Sequence, residues 1–367
     1  MSHRIIIIFV SLCVAAVFIE LLARTVIYQR GNGAPSAIVE LTKQAWQNIT
    51  PQPASSEEKP WLNYVDLPED IRLELMNLNA IISNAANPTK VKQHDTILVK
   101  PDIGRRYVLR PNTNITGHLL KAAAPFNIDP PVLYYPTPTV FSERVSSWIS
   151  NNSRGLTWSY QIDGNGFRRT LPEVNAPRKI LVVGDSVGFG VGVNDEDTIA
   201  SHMQRLIGDN TQIINASVGG YQGPEVVETA RLMIENGPYD ALIYIACAND
   251  FMTSLEDMEP TIKGLAKLKD QYNRVHVVLT PYLEYVAQDL FEWPEYLRKN
   301  NDKIRDELPE IVASYGLTYS DWTDEVIAST AENHSVFHRL SYFVDHTHFS
   351  PYGAKNIARG IIQALSY

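Results

Sequence analysis

The chain has 367 residues, 44% hydrophobic and 20% charged, with a mean hydropathy of −0.16. These values exclude both a disordered chain and a polytopic membrane protein. Asp and Glu outnumber Lys and Arg by 41 to 32, giving a net charge of −9, and the positive field that binding to nucleic acid requires is missing.

In chain order, residues 1–30 come first. The run Ile5–Ala23 is charge-free as far as Ile19, and Glu20 and Arg24 follow at i, i+4 spacing, where they can pair. Its small residues, Ala15 and Ala16, lie inside the apolar run rather than after it, so the pattern predicts an uncleaved, single-pass transmembrane anchor rather than a cleavable signal. Arg4 on one side is balanced by Arg24 and Arg30 on the other, and charge alone does not orient the span. Residues 31–95 read as a juxtamembrane region with helical patterns near Ala37–Ile49 and from Pro68, joined by the polar linker PQPASSEEKP. Residues 96–177 read as a β-leaning preamble, in which YVLRPN and LTWSYQIDGNGFRR combine strand propensity with turn signals. Within it, IDPPVLYYPTPTV looks too rich in proline for a central strand.

From 178 to 367 the pattern becomes regular. Four apolar runs, KILVVGD (179–185), QIINAS (212–217), DALIYIACA (240–248) and RVHVVLT (274–280), alternate with helical segments near Glu196–Ile207, Pro224–Glu235 and Pro260–Tyr272. A fifth run, LTYSDW (317–322), and a closing helix from Pro351 complete the domain. Such alternation predicts an α/β fold, with helices on both faces of a parallel sheet. Right-handed crossovers then gather the loops after the strands on one edge, where open sheets of this kind place their sites.

Those loops hold the chemistry. After the first run comes Gly184-Asp185-Ser186-Val187-Gly188, where glycines on both sides of a serine allow a sharp turn that presents its hydroxyl, so Ser186 is the candidate nucleophile. Before the last helix comes Asp345-His346-Thr347-His348. A carboxylate three residues before a histidine can hold Nδ1 and leave Nε2 to take the serine proton, so His348 is the candidate base and Asp345 its orienter. His346 is the rival base, and Asp345, His346 and His348 together could instead hold a metal. Asn215-Ala216-Ser217-Val218-Gly219-Gly220 offers small residues whose backbone N–H could approach a substrate, and Asn249 after the third run offers an amide donor or a helix cap.

These four blocks, in this order, resemble the SGNH subgroup of the GDSL hydrolases over about Lys179 to Tyr367. GDSVGFG corresponds to the nucleophile block with Ser186, NASVGG to the block with oxyanion glycine Gly220, CAND to the block with oxyanion Asn249, and DHTH to the block with Asp345 and His348. Upstream, KPDIGRRYVLRPN and IDGNGFRR resemble the extension that precedes the domain in membrane-anchored bacterial relatives. Cys247 stands where the family's third block has glycine. The resemblance implies a flavodoxin-like three-layer α/β/α sandwich, serine hydrolase chemistry on esters and no cofactor, with the Ser186 N–H as a further oxyanion donor and the catalytic domain on the periplasmic or extracellular side. No metal is expected, because no further His, Cys or Asp cluster with ligand spacing occurs in the sequence. The G-x-S-x-G pattern also fits α/β-hydrolases, but there the acid and the histidine come from separate loops. Gly188, Gly190 and Gly192 lack the spacing of a dinucleotide fingerprint.

The expected substrate is an ester, such as an acyl group on a cell-surface glycan or lipid. Tyr221, Phe251, Phe291, Trp293 and Tyr296 supply aromatic faces that could stack on sugar rings or pack a lid. An O-acyltransferase with the same triad, or a noncatalytic envelope protein on the same fold, are the alternatives.

Overall fold

The computed structural model describes residues 67–83, 98–99, 104–105, 107–121, 131–247, 255–287, 295–333 and 338–365. The apolar segment of residues 1–30, the pattern near Ala37–Ile49, and Asn249, Phe251, Phe291 and Trp293 lie outside the described residues. Among those described, no helix is long and apolar enough to cross a membrane.

Two sheets carry the fold. The first is antiparallel, with β1 (Ile81–Ser83), β4 (Asn114–Leu120), β5 (Val132–Pro136) and β6 (Ser153–Gln161) in the order β1-β5-β4-β6. Strand β5 is therefore internal, paired to both β1 and β4, contrary to the expectation from its prolines. Pro130, Pro131, Pro136 and Pro138 fall before it or at its far end, so Val132–Tyr135 keep the N–H groups a central ladder needs. Helices α1 (Glu69–Asn77) and α2 (Glu143–Asn152) cover one face, burying Ile71, Leu75, Val145, Trp148 and Ile149 with Leu120 and Leu133. This unit thus begins with α1 and β1, before residue 96. A two-stranded ribbon pairs β2 (Leu98–Val99) with β3 (Val108–Leu109).

The second sheet is parallel: β7 (Arg178–Gly184), β8 (Thr211–Asn215), β9 (Ala241–Ala246), β10 (Val275–Leu279) and β11 (Thr318–Asp321), in the order β11-β10-β9-β7-β8. Counted from β7, this is the 2-1-3-4-5 order of a flavodoxin-like, doubly wound sheet. Its central strands are continuous apolar runs because both faces are covered. Leu181, Val183, Leu242, Tyr244 and Val277 point into one core, shared with α5 (Gly223–Met233), α6 (Leu255–Ala266) and α8 (Glu295–Ser314). Ile180, Val182, Ile243, Ile245 and Val278 point into the other, shared with α4 (Ile199–Ile207), α9 (Thr323–Asn333) and α10 (Pro351–Ala364). The result is three layers. Helix α6 starts at Leu255, five residues before the proline expected to open it. Leu255, Met258, Ile262 and Leu265 form a buried stripe, and its burial outweighs the hydrogen bond lost at Pro260.

The antiparallel sheet sits against the loops of the parallel one. Ile115, Trp158 and Tyr160 share a core with Phe189, Val191 and Val218, and Tyr160 meets Phe189 edge to face at 5.0 Å. The crossovers to β8 and to β9 leave in opposite directions, so the crevice at the ends of β7 and β9 is the switch point where ligands bind such sheets.

Candidate active site

Local sequence explains how Ser186 is presented. A Cβ at Gly184 would lie 2.7 Å from the carbonyl oxygen of Ile245 on the neighbouring strand, so only glycine ends β7 in this packing. Asp185 caps the next turn, its Oδ1 accepting from Val187 N–H at 2.9 Å. Ser186 then opens the short helix α3 (Ser186–Phe189), which Gly190 ends in the left-handed conformation at φ 85°. The turn is braced from β8 and the loop after it: Asn215 Nδ2 donates to the Gly188 carbonyl at 3.0 Å and Val218 N–H to that of Gly184 at 3.2 Å.

The second block closes on itself. Val344 N–H donates to the His348 carbonyl at 2.8 Å, while Phe343 and Phe349 form a bridge, so 344–348 is a tight loop ahead of α10. Ser350 caps that helix by accepting from Gly353 N–H. Asp345 Oδ1 accepts from the backbone N–H groups of Thr347 and His348 at 2.9 and 2.8 Å, and its Oδ2 accepts from His348 Nδ1 at 2.7 Å. Burial would raise the Asp345 carboxyl, but the adjacent His348, through charge and hydrogen bond, holds it well below the usual carboxylate range. His346 Nδ1 stands 3.8 Å from Asp345 Oδ1, its carbonyl accepts from the N–H of Leu283, which opens the short helix α7 (Leu283–Val286), and its ring stacks on Tyr282. Of the two histidines, then, His348 is the one the carboxylate orients. No metal-binding group of three or more His, Cys, Asp or Glu occurs among the described residues.

The two blocks approach each other. A Cβ on Gly192, six residues after Ser186, would lie 2.6 Å from Val344 Cγ2, so the loop leaving α3 abuts the one carrying Asp345 and His348. Gly219 also comes up to the nucleophile, since an added Cβ there would be 3.8 Å from Ser186 Cβ. Gly220 adopts φ 78°, a conformation that favours glycine. Asn249 lies outside the described residues, and Tyr221 is fully buried, its hydroxyl donating to the Tyr107 carbonyl at 2.6 Å. That burial removes it from the aromatic faces expected to stack on sugar.

The supporting roles of several residues were not legible in the sequence. Cys247 turns into the core and donates its thiol proton to Asp185 Oδ2 at 2.7 Å, so the residue in the glycine's place braces the cap before Ser186. Arg168, almost wholly buried, pairs with Asp195 at 3.1 Å and donates to the carbonyls of Phe189, Gly190 and Val193. For both members of the pair burial is the main influence, lowering the Arg168 pKa and raising that of Asp195. Tyr134 and Arg154, from the antiparallel sheet, feel the Asp345 charge as their second influence after burial. The one signal that could have pointed here was GNGFRR, a glycine-rich turn ending in two arginines.

No protein-family model and no curated protein matches the chain. Solved structures similar to part of it include a member of the lipolytic protein G-D-S-L family from Veillonella parvula, 14% identical, covering 52% of this chain and 98% of that one, with a TM-score of 0.41. Axe2, an acetylxylan esterase from Geobacillus stearothermophilus, is 16% identical, covering 53% of this chain and 96% of its own, with a TM-score of 0.41. LAE5, an alpha/beta hydrolase enzyme from the metagenome of Lake Arreo, is 14% identical, with coverage of 52% and 96% and a TM-score of 0.41.

Proposed function

We propose that the chain is a serine esterase of the SGNH/GDSL type, with Ser186 as nucleophile, His348 as base and Asp345 as its orienter. The carrying observation is the 2.7 Å hydrogen bond from His348 Nδ1 to Asp345, whose side chain is only 4% exposed, on a loop abutting the one that leaves Ser186. An ionised carboxylate only accepts, so the Nδ1 proton is fixed and Nε2 is the basic nitrogen. Ser186 Oγ attacks the ester carbonyl carbon while Nε2 takes its proton. Negative charge moves to the carbonyl oxygen, held by the N–H groups of Ser186 and Gly220 and the Asn249 amide. Collapse expels the alcohol, which leaves with the proton from His348, and water activated by the same ring then releases the acid.

The substrate in this proposal is an acyl ester of a cell-surface glycan or lipid, reached by a domain that residues 1–30 tether to the outer side of a membrane. The reaction needs no metal or cofactor. A fluorophosphonate probe should label Ser186 in the wild type and not in Ser186→Ala. Equal turnover of an activated acetate ester by these two proteins would end the enzyme reading.

A further inference from the structure

We propose that Tyr107, on the segment leading into β3, is a positioning residue that sets the orientation of the Gly219–Gly220 peptide, and hence of the Gly220 N–H. This inference rests on the esterase reading and adds a residue far outside the blocks that define the site.

The Tyr107 hydroxyl donates to the carbonyl oxygen of Gly219. That carbonyl and the Gly220 N–H belong to one planar, trans peptide unit and point in opposite directions. A hydrogen bond that fixes the oxygen therefore fixes the direction of the N–H, and by polarising the unit it makes the N–H a better donor. Glycines on both sides of this peptide give it unusual freedom to rotate, so an outside anchor has more to do here than in an ordinary loop. The same peptide lies next to the nucleophile, since a Cβ on Gly219 would be 3.8 Å from Ser186 Cβ.

The anchor is itself held. Tyr221 donates its hydroxyl to the Tyr107 carbonyl at 2.6 Å, and the two rings pack at 5.6 Å with a 55° tilt. Residue 107 and loop 219–221 thus clasp each other through two hydrogen bonds running in opposite directions. A Cβ at Gly220 would lie 2.6 Å from the Tyr107 hydroxyl oxygen, so glycine at 220 serves the clasp as well as the φ of 78°.

An oxyanion donor acts in the transition state and hardly in the ground state, so misorienting it lowers kcat and spares KM. The test is steady-state hydrolysis of p-nitrophenyl acetate by the full chain as wild type, Tyr107→Phe and Ser186→Ala. The expected result for Tyr107→Phe is a fall in kcat of roughly ten-fold at unchanged KM. A kcat within two-fold of wild type, or a loss carried wholly by KM, overturns the inference while leaving the esterase reading intact. Absence of Ser186-dependent turnover in the wild type overturns both. If Tyr107→Phe does not fold, fluorinated tyrosines at 107 keep the ring and strengthen the donor: kcat should change steadily with phenol acidity, and a flat series overturns the inference.

Discussion

At the scale of single residues the site depends on which histidine the carboxylate holds. His348 Nδ1 is 2.7 Å from Asp345, and His346 Nδ1 is 3.8 Å away with its ring stacked on Tyr282. His348→Ala should therefore abolish fluorophosphonate labelling of Ser186, whereas His346→Ala should retain most of it. Asp345→Asn can present the wrong tautomer to the ring, and kcat should fall on the order of 10³–10⁴-fold with the fold kept, as circular dichroism would verify. Arg168 is a different case because its partner is buried too. Arg168→Met strands the Asp195 carboxylate and should cost about 3–5 kcal/mol in urea unfolding, while adding Asp195→Leu should recover much of that loss. No recovery in the double variant would mean that the carbonyl contacts to Phe189, Gly190 and Val193 dominate.

At the scale of elements, β10 and β11 hold a titrating group far from the chemistry. His276 on β10 is buried with its ring nitrogens against Thr318 Oγ1 and Ser320 Oγ, at 2.8 and 3.0 Å. Burial, helped by Arg274, lowers its pKa from 6.5 to about 4. Between those values the unfolded chain binds a proton that the folded chain refuses, so the contribution is complete above pH 6.5 and is lost as pH falls towards 4. Its slope reaches about 1.4 kcal/mol per pH unit. His202 on α4 is lowered to about 4 in the same way and adds to the slope. Urea unfolding at pH 7 and pH 5 should show the loss, and His276→Gln should reduce it to the share that His202 carries; an unchanged slope in that variant would refute the assignment. Strand β5 shows why elements are harder to read than residues. Proline content argued against a central strand, but what matters is where the prolines fall relative to the ladder, and that depends on partners over 45 residues away in β1 (Ile81–Ser83) and nearby in β4.

At the scale of the whole molecule, the antiparallel sheet is part of the site's support rather than a spacer. It meets the loop after Ser186 through Tyr160 and Phe189, it reaches the following turn through backbone N–H groups of Ser159 and Gln161 that donate to Asn194 and Asp195, and Arg168 follows directly from it. A chain starting at residue 178 would expose the apolar surface of Phe189, Val191 and Val218 and lose Arg168 and Tyr107. We expect such a fragment to aggregate or to resist fluorophosphonate labelling, measured against residues 67–367. A soluble, fully labelled fragment would show that the parallel sheet alone suffices.

The sequence by itself determined the alternating layers, because period-two burial on both faces of β7, β9 and β10 leaves continuous apolar runs that only helices on both sides can cover. It also determined the Asp345 and His348 pairing, since three residues on one tight loop is a local geometry. Only the tertiary structure decided that Cys247 braces Asp185, that Arg168 ties down the loop after Ser186, and that Tyr107 grips the peptide at Gly220. Each of those contacts joins stretches of chain 21 to 112 residues apart, and neither composition nor periodicity encodes which distant backbone carbonyl or carboxylate a buried donor will meet.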